Sequence, residues 1–224
     1  MNNVAVILAG GSGTRMKSEK NKLLLEINGK PVIRYAVEAF DGIPDINKII
    51  VVFREEDLNE LNAAAGVSDK IAFVKGGNTR QQSVKNAVSA IKRADLVIIH
   101  DGARPLIKPE TITSAISAAK EYGAAAVGVP VKDTIKIVNA DKTVKLTPDR
   151  ATLYAVQTPQ IFDFELYKKA LAKAEADGQD FTDDCQLFEY IGAPVKMTEG
   201  DYSNIKITTP DDIPLAESFL NKEV

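Results

Sequence analysis

The chain lacks most of what marks a disulfide-bonded, membrane-spanning or nucleic-acid-binding protein. Its 224 residues include one cysteine, Cys185, which excludes an internal disulfide framework and a cysteine-rich metal site and points to a reducing compartment. Neither sign of charge dominates: 28 Lys and Arg against 31 Asp and Glu leave a formal charge of -3, without the basic footprint of a nucleic-acid binder. If phosphate is bound, a few placed cations must do it. No long apolar run occurs. The start, MNNVAVILAGG, is too short to span a bilayer and lacks the basic residues of a signal peptide. Internal repeats, low-complexity segments and Gly/Ser/Pro-rich linkers are absent as well. The expectation is one soluble, cytoplasmic domain over residues 1–224, with neither a membrane nor a nucleic acid as partner.

What is present is an alternation. Val4 to Leu8 is a continuous aliphatic run that ends in glycines, as a strand buried on both faces does. Further runs occupy Ile49 to Phe53, Ile71 to Val74, Leu96 to Ile99 and Ala126 to Val131. Between them helical spacing covers Pro31 to Phe40, Glu55 to Ala65, Thr79 to Ile91 and Pro109 to Tyr122. This order predicts an α/β fold: a Rossmann-like, doubly wound, mostly parallel sheet with helices on both faces and ligands beyond the carboxyl ends of the strands. After Val131 the pattern changes. Lys132 to Gln160 holds short alternating pieces, TIKIV, VKLT and TLYAV, broken by Asn139-Ala140-Asp141 and Pro148-Asp149. It predicts an extended β-arm with a hairpin, able to cover a site or to pair with another subunit. Helical spacing returns at Asp163 to Asp177 and near Asp184 to Ile191, a strand is predicted at Pro194 to Met197, and Thr209-Pro210-Asp211-Asp212 opens a last helix.

Five segments could carry chemistry. In LAGGSGTRM, Leu8 to Met16, the glycines Gly10, Gly11 and Gly13 permit backbone conformations that aim amide groups at phosphate oxygens, with Arg15 and Lys22 adding charge. A plain strand-to-loop turn is the competing reading. It is not a P-loop, because no Gly-Lys-Ser/Thr follows, and not the Rossmann fingerprint, because Met16 stands at the third glycine. In VIIHDGARPLI, Val97 to Ile107, Asp101 ends a buried strand, either to hold Mg²⁺ between triphosphate oxygens or only to shape the turn before Gly102 and Pro105. His100 reads as a packed strand residue rather than a catalyst. Arg104 either braces the loop or faces phosphate. GGNTRQQSV, Gly76 to Val84, places two glycines before a helix with Asn78 as its cap. Backbone groups there could press on a base edge with Ser83 supplementing them, or the segment is simply a capped helix. VKDTIK with the later PDR, and SNIKITTPDD, offer Thr134, Arg150 and Lys206.

Together these segments resemble the cytidylyltransferase family that includes the 2-C-methyl-D-erythritol 4-phosphate cytidylyltransferases. The marks run over nearly the whole chain: the Gly-rich loop closing on Thr14-Arg15-Met16, HDGARP, PVKDTIK, Gln157-Thr158-Pro159-Gln160, Thr182-Asp183-Asp184, and Asn204-Ile205-Lys206-Ile207-Thr208-Thr209-Pro210. The resemblance implies a nucleotide-diphospho-sugar transferase type of sheet with a β-arm, at about residues 132–160, that exchanges contacts in a homodimer. It implies phosphate-binding and transition-state roles for Arg15, Lys22 and Lys206, and a Mg²⁺-associated carboxylate at Asp101. Ala9, Gly10, Gly77, Asn78 and Ser83 fall on cytidine-binding positions, with Gly11, Gly13, Asp101, Gly102 and Ala103 completing the nucleotide site. Thr134 and Arg150 match arm residues that reach the acceptor in the neighbouring subunit, where Asp101 and Lys206 also contribute. Two places depart from the family's habit: Asn21-Lys22-Leu23 stands where Pro-Lys-Gln is frequent, and Asn78 where an acidic residue is common.

The implied activity is Mg²⁺-dependent transfer of a cytidylyl group from CTP to 2-C-methyl-D-erythritol 4-phosphate, with release of pyrophosphate, in non-mevalonate isoprenoid biosynthesis. The alternative acceptor is ribitol 5-phosphate, and the alternative of another class is a non-catalytic nucleotide-sensing protein. Arg15, Lys22, Asp101 and Lys206 argue against a sensor, which needs binding but not charges aimed at a transition state.

Overall fold

The computed structural model describes residues 1–10 and 21–222, so Gly11, Gly13 and Arg15 lie outside the described residues. In chain order its elements begin with β1 (Asn3–Leu8), β2 (Glu26–Ile27), β3 (Lys30–Pro31), α1 (Val32–Asp41), β4 (Ile46–Phe53) and α2 (Leu58–Ala65). Then come β5 (Ile71–Lys75), α3 (Arg80–Ser89), β6 (Leu96–Asp101), α4 (Pro109–Tyr122), β7 (Ala124–Pro130), β8 (Ile137–Val138) and β9 (Val144–Leu146). The chain closes with β10 (Tyr154–Asp163), α5 (Phe164–Ala176), α6 (Asp184–Tyr190), β11 (Lys196–Glu199) and α7 (Asp212–Leu220).

The central sheet has seven strands in the order β11-β7-β10-β6-β1-β4-β5. Its pairings are parallel except the two made by β10, which runs antiparallel to β6 and β7. The middle strands explain their own sequences. Ala5 and Ile7 of β1 enter one apolar cluster while Val4 and Val6 enter the other, so both faces of the strand are covered and the letters run apolar without alternation. Residues of α1, α2, α4 and α7, among them Phe40, Leu61, Ile112 and Ala216, pack on the first face. Residues of α3, α5 and α6, among them Val84, Tyr167 and Phe188, pack on the second. The doubly wound α/β sheet expected from the alternation is present, with one antiparallel member.

That member divides the segment expected to project. Tyr154 lies opposite Pro130 and Phe162 opposite Ala124, so residues 154–160, expected in the arm, belong to a strand inside the sheet. The excursion lies between Val131 and Leu153, whose N–H to O bond of 3.1 Å closes its base. Within it β8 and β9 form a separate two-stranded hairpin, turned by Asn139 N–H to Thr143 O at 2.9 Å. Strands that long sit beside neighbours chosen by hydrogen bonding at a distance, and TLYAV carries no letter that names its partner. No helix among the described residues is long and apolar enough to cross a membrane.

Candidate functional site

β1 and β6 are adjacent and parallel, so their carboxyl ends open on the same edge, and the backbone there is tightly fitted. Ala9 is fully buried and donates its N–H to Val52 O at 2.8 Å, while Gly102 donates to Leu8 O at 3.0 Å. A Cβ on Gly102 would stand 3.0 Å from both Leu8 O and Ile33 Cδ1, so glycine is needed for the two chain segments to lie side by side. Ala9, Gly10, Gly102 and Ala103 therefore form one backbone shelf.

Asp101 ends β6 at this shelf. Its Oδ2 accepts from Lys206 Nζ at 2.6 Å, and its Oδ1 lies 3.8 Å from the Arg80 guanidinium. Burial would raise the carboxyl pKa, but the Lys206 ammonium and Arg80 guanidinium outweigh it and hold the group at about 2. It stays ionised at neutral pH. Arg80, the first residue of α3, also pairs with Asp184, which is 2% exposed and accepts from Tyr167 Oη at 2.5 Å. Burial disfavours the Arg80 charge, yet the two carboxylates hold its pKa above the ordinary value. Arg104 donates from Nη1 to Asn204 O at 2.7 Å, so it braces the loop that carries Lys206.

His100 is fully buried against Phe40, with ring centroids 4.8 Å apart. Its Nε2 contacts Arg104 O and its Nδ1 contacts Thr158 Oγ1, each at 3.1 Å. Burial presses its pKa down to about 4. The ring is neutral and committed to packing, as its strand position implied.

Lys22 reaches the same edge from a different segment, its Nζ donating to Ile207 O at 2.6 Å. The unusual neighbour Asn21 accounts for its placement. Asn21 is 5% exposed; its Nδ2 donates to Ala9 O at 3.0 Å and to Asp57 Oδ2 at 2.8 Å, and its Oδ1 caps the turn that begins at Lys22. A buried amide thus ties the Lys22 turn to the end of β1.

The Gly76 loop sits at the end of β5. Gly77 N–H donates to Ser83 Oγ at 3.0 Å, and Asn78 N–H to Gln82 Oε1 at 2.8 Å. Here one expectation is corrected: the helix cap is Thr79, which accepts from Gln82 N, not Asn78, which is exposed. Thr79 has the extended backbone that a cap requires, with φ -119° and ψ 168°.

The structure thus brings Ala9, Gly10, Lys22, Asp101, Gly102, Ala103 and Lys206 to one edge. Thr134 and Arg150 are exposed on the arm, and Arg150 donates from Nη1 to Lys132 O at 3.0 Å within that arm. Sequence reasoning passed over Arg80 and quoted Asn21, Asp184 and Asn204 as motif letters without giving them a role. The one signal for Arg80 was its position in the first turn of α3, where a cation opposes the helix dipole and needs a local anionic partner. Among the described residues no group of three or more His, Cys, Asp or Glu side chains could hold a metal. Asp101 is the carboxylate of this edge that could contribute to one.

A family model for 2-C-methyl-D-erythritol 4-phosphate cytidylyltransferase matches residues 3–222. The chain is 50% identical to the enzyme of that name from Caldanaerobacter subterraneus subsp. tengcongensis, covering 99% of this chain and 100% of the relative. It is 45% identical to the one from Desulforamulus reducens, covering 99% and 97%. Among solved structures it is similar to the 4-diphosphocytidyl-2C-methyl-D-erythritol synthase of Anaerococcus prevotii, with a TM-score of 0.88, 34% identity and 98% of each chain covered. The 2-C-methyl-D-erythritol 4-phosphate cytidylyltransferase of Francisella tularensis superposes with a TM-score of 0.82 at 27% identity over 100% of each chain.

Proposed function

The chain belongs to the 2-C-methyl-D-erythritol 4-phosphate cytidylyltransferase family, and from that membership we propose that the edge built by Lys22, Asp101 and Lys206 is where it works. It joins CTP to 2-C-methyl-D-erythritol 4-phosphate, giving 4-diphosphocytidyl-2-C-methyl-D-erythritol and pyrophosphate, a step of isoprenoid biosynthesis. The observation that carries the assignment of the edge is convergence: Lys22 and Lys206 come from opposite ends of the chain, yet Lys22 bonds Ile207 O and Lys206 bonds Asp101.

The acceptor's phosphate oxygen attacks the α-phosphorus of CTP, a new P–O bond forms, and the bond to the departing pyrophosphate breaks. No general base is needed, because that phosphate is anionic near neutral pH, and His100 is neutral and fully engaged. Catalysis comes from alignment and from cations on the α-phosphoryl oxygens, the work of Lys22, Lys206 and, by family resemblance, Arg15. By family resemblance, Ala9, Gly10 and Gly102 would lie along the nucleotide, and Gly77, Asn78 and Ser83 would read the base. Asp101 would contribute one carboxylate to a Mg²⁺ bound with the triphosphate, since it is ionised and lies at this edge, and no larger cluster of metal-ligating side chains occurs among the described residues. The ion would neutralise triphosphate charge.

A homodimer is part of this proposal. Ile135, Ile137, Val138, Val144 and Leu146 on the arm are 41–58% exposed, and an isolated two-stranded hairpin is marginal in water, so a second copy is the surface that would cover it. Thr134 and Arg150 would then serve the neighbour's acceptor. A cytoplasmic setting rests on the single, buried Cys185.

The ribitol phosphate and sensor readings are not favoured beside relatives of 45–50% identity that carry the methylerythritol name. Pyrophosphate release with CTP and Mg²⁺ against methylerythritol, ribitol, erythritol and glycerol phosphates is the direct test. Methylerythritol 4-phosphate should dominate; equal turnover of ribitol 5-phosphate would overturn the acceptor assignment.

A further inference from the structure

Lys206 is borne by a loop, and a lysine ammonium on a flexible four-carbon stem is a poorly defined charge unless its backbone is pinned. The pinning comes from strand β10. Its pairing with β7 changes register between Val156 and Gln160, which frees Gln157 to turn its amide elsewhere. Gln157 is 7% exposed; its Nε2 donates to Asp201 O at 2.8 Å and its Oε1 accepts from Asn204 Nδ2 at 3.1 Å. Asn204, 1% exposed, makes a second bond from Nδ2 to Thr158 O at 3.1 Å. The approach is close. A Cβ on Gly200 would stand 2.6 Å from Gln157 Oε1 and 3.0 Å from Gly128 O. Two residues beyond Asn204, Lys206 meets Asp101 at 2.6 Å, and the next N–H, of Ile207, bonds Ala103 O at 2.8 Å.

We propose that the buried Gln157–Asn204 amide pair is a positioning device for Lys206, holding the loop of residues 200–206 at the height where its ammonium faces the transferred phosphoryl group. Breaking the pair leaves buried amide groups without partners, and the loop relieves that cost by moving. A displacement near 1 Å at a group that stabilises a transition state lowers the rate by about a hundredfold. The loop at Gly76 to Ser83 lies at β5, on the other side of β6 from β10, so the contacts proposed for the base are spared. The pair also ties Lys206 to the strand that emerges from the arm, so arm and catalytic edge form one mechanical unit.

This inference rests on the proposed role of Lys206, and the test separates the two. Gln157→Met removes both hydrogen bonds at similar volume. It should lower kcat roughly tenfold or more and raise KM for the acceptor, while KM for CTP stays within about twofold. In a Lys206→Met background the same change should cost less than about twofold, because the group it positions is gone. Asn204→Leu, which removes the bonds from Nδ2 to Gln157 Oε1 and Thr158 O at similar volume, repeats the measurement if the Met variant folds poorly. Equal losses in both backgrounds, an unchanged kcat, or a rise in KM for CTP matching that for the acceptor would each overturn the positioning role. If Lys206→Met alone kept full activity, the assignment of the edge itself would fall.

Discussion

Replacing Asp101 by Asn tests the electrostatics of the site without any substrate. The carboxyl group is held at about 2 against an ordinary 3.8, because Lys206 and Arg80 outweigh the cost of its burial. At ~1.4 kcal/mol per pH unit, the ionised group contributes about 2 kcal/mol to folding at neutral pH. The folded value lies below the unfolded one, so this contribution is complete above pH 4 and is lost as pH falls toward 2. By pH 3 roughly 1 kcal/mol of it remains. Asp101→Asn imitates the protonated group and leaves Lys206, Arg80 and Arg104 facing one another. It should therefore lose about 2 kcal/mol at pH 7, or about 4–8 °C in Tm for a chain of this size. The assay is urea unfolding of both proteins from pH 7 to pH 3, read as a difference so that other carboxylates cancel. The deficit should shrink by about half across that range. A variant as stable as the native protein at pH 7, or a deficit that does not shrink toward pH 3, would refute the pairing.

Gly102→Ala forces a methyl group to 3.0 Å from Leu8 O and should cost about 1–3 kcal/mol in thermal or urea unfolding while weakening CTP binding by calorimetry. Lys22→Ala should lower kcat by at least about a hundredfold with little change in the far-ultraviolet circular dichroism, and near-normal kcat would mean that the turn after Asn21 is only structural. Mixing inactive Arg150→Ala with inactive Lys22→Ala subunits should restore about a quarter of native activity, since each mixed dimer would carry one intact site. Absence of recovery after subunit exchange has been confirmed by mass would confine the arm to its own chain.

Much of the fold could be read residue by residue because burial on both faces writes itself locally. Val4 to Leu8 admits no polar letter for that reason, and the helical spacing of Pro109 to Tyr122, with Pro109 at the first turn and Gly123 at φ 82° after the last, needs no distant information. Asp101 was visible for the same reason, as a charge ending an apolar run. Gln157, Asn204 and Asn21 stood out only as motif letters, and their roles were not legible, because a buried amide looks in sequence like an exposed one until its partners are known. Asn78 was read as the cap from its residue type, whereas the backbone angles and the bond from Gln82 N give that place to Thr79. The segment TLYAV was read with the arm because strand alternation says that a segment is extended and not what it pairs with.

The sequence by itself determined the alternation of strands and helices, the glycines and cations at the strand ends, and the membership that those motifs in that order carry. These are properties of neighbouring residues, set by local sterics and by whether a face meets water. Tertiary structure alone decided that β10 enters the sheet antiparallel between β6 and β7, and that Lys206 closes on Asp101 over 105 positions. It also decided that Arg80 shares two carboxylates and that Gln157 holds the loop from behind. Such pairings depend on the free energy of closing long loops and satisfying buried polar groups together, which no single stretch of letters encodes.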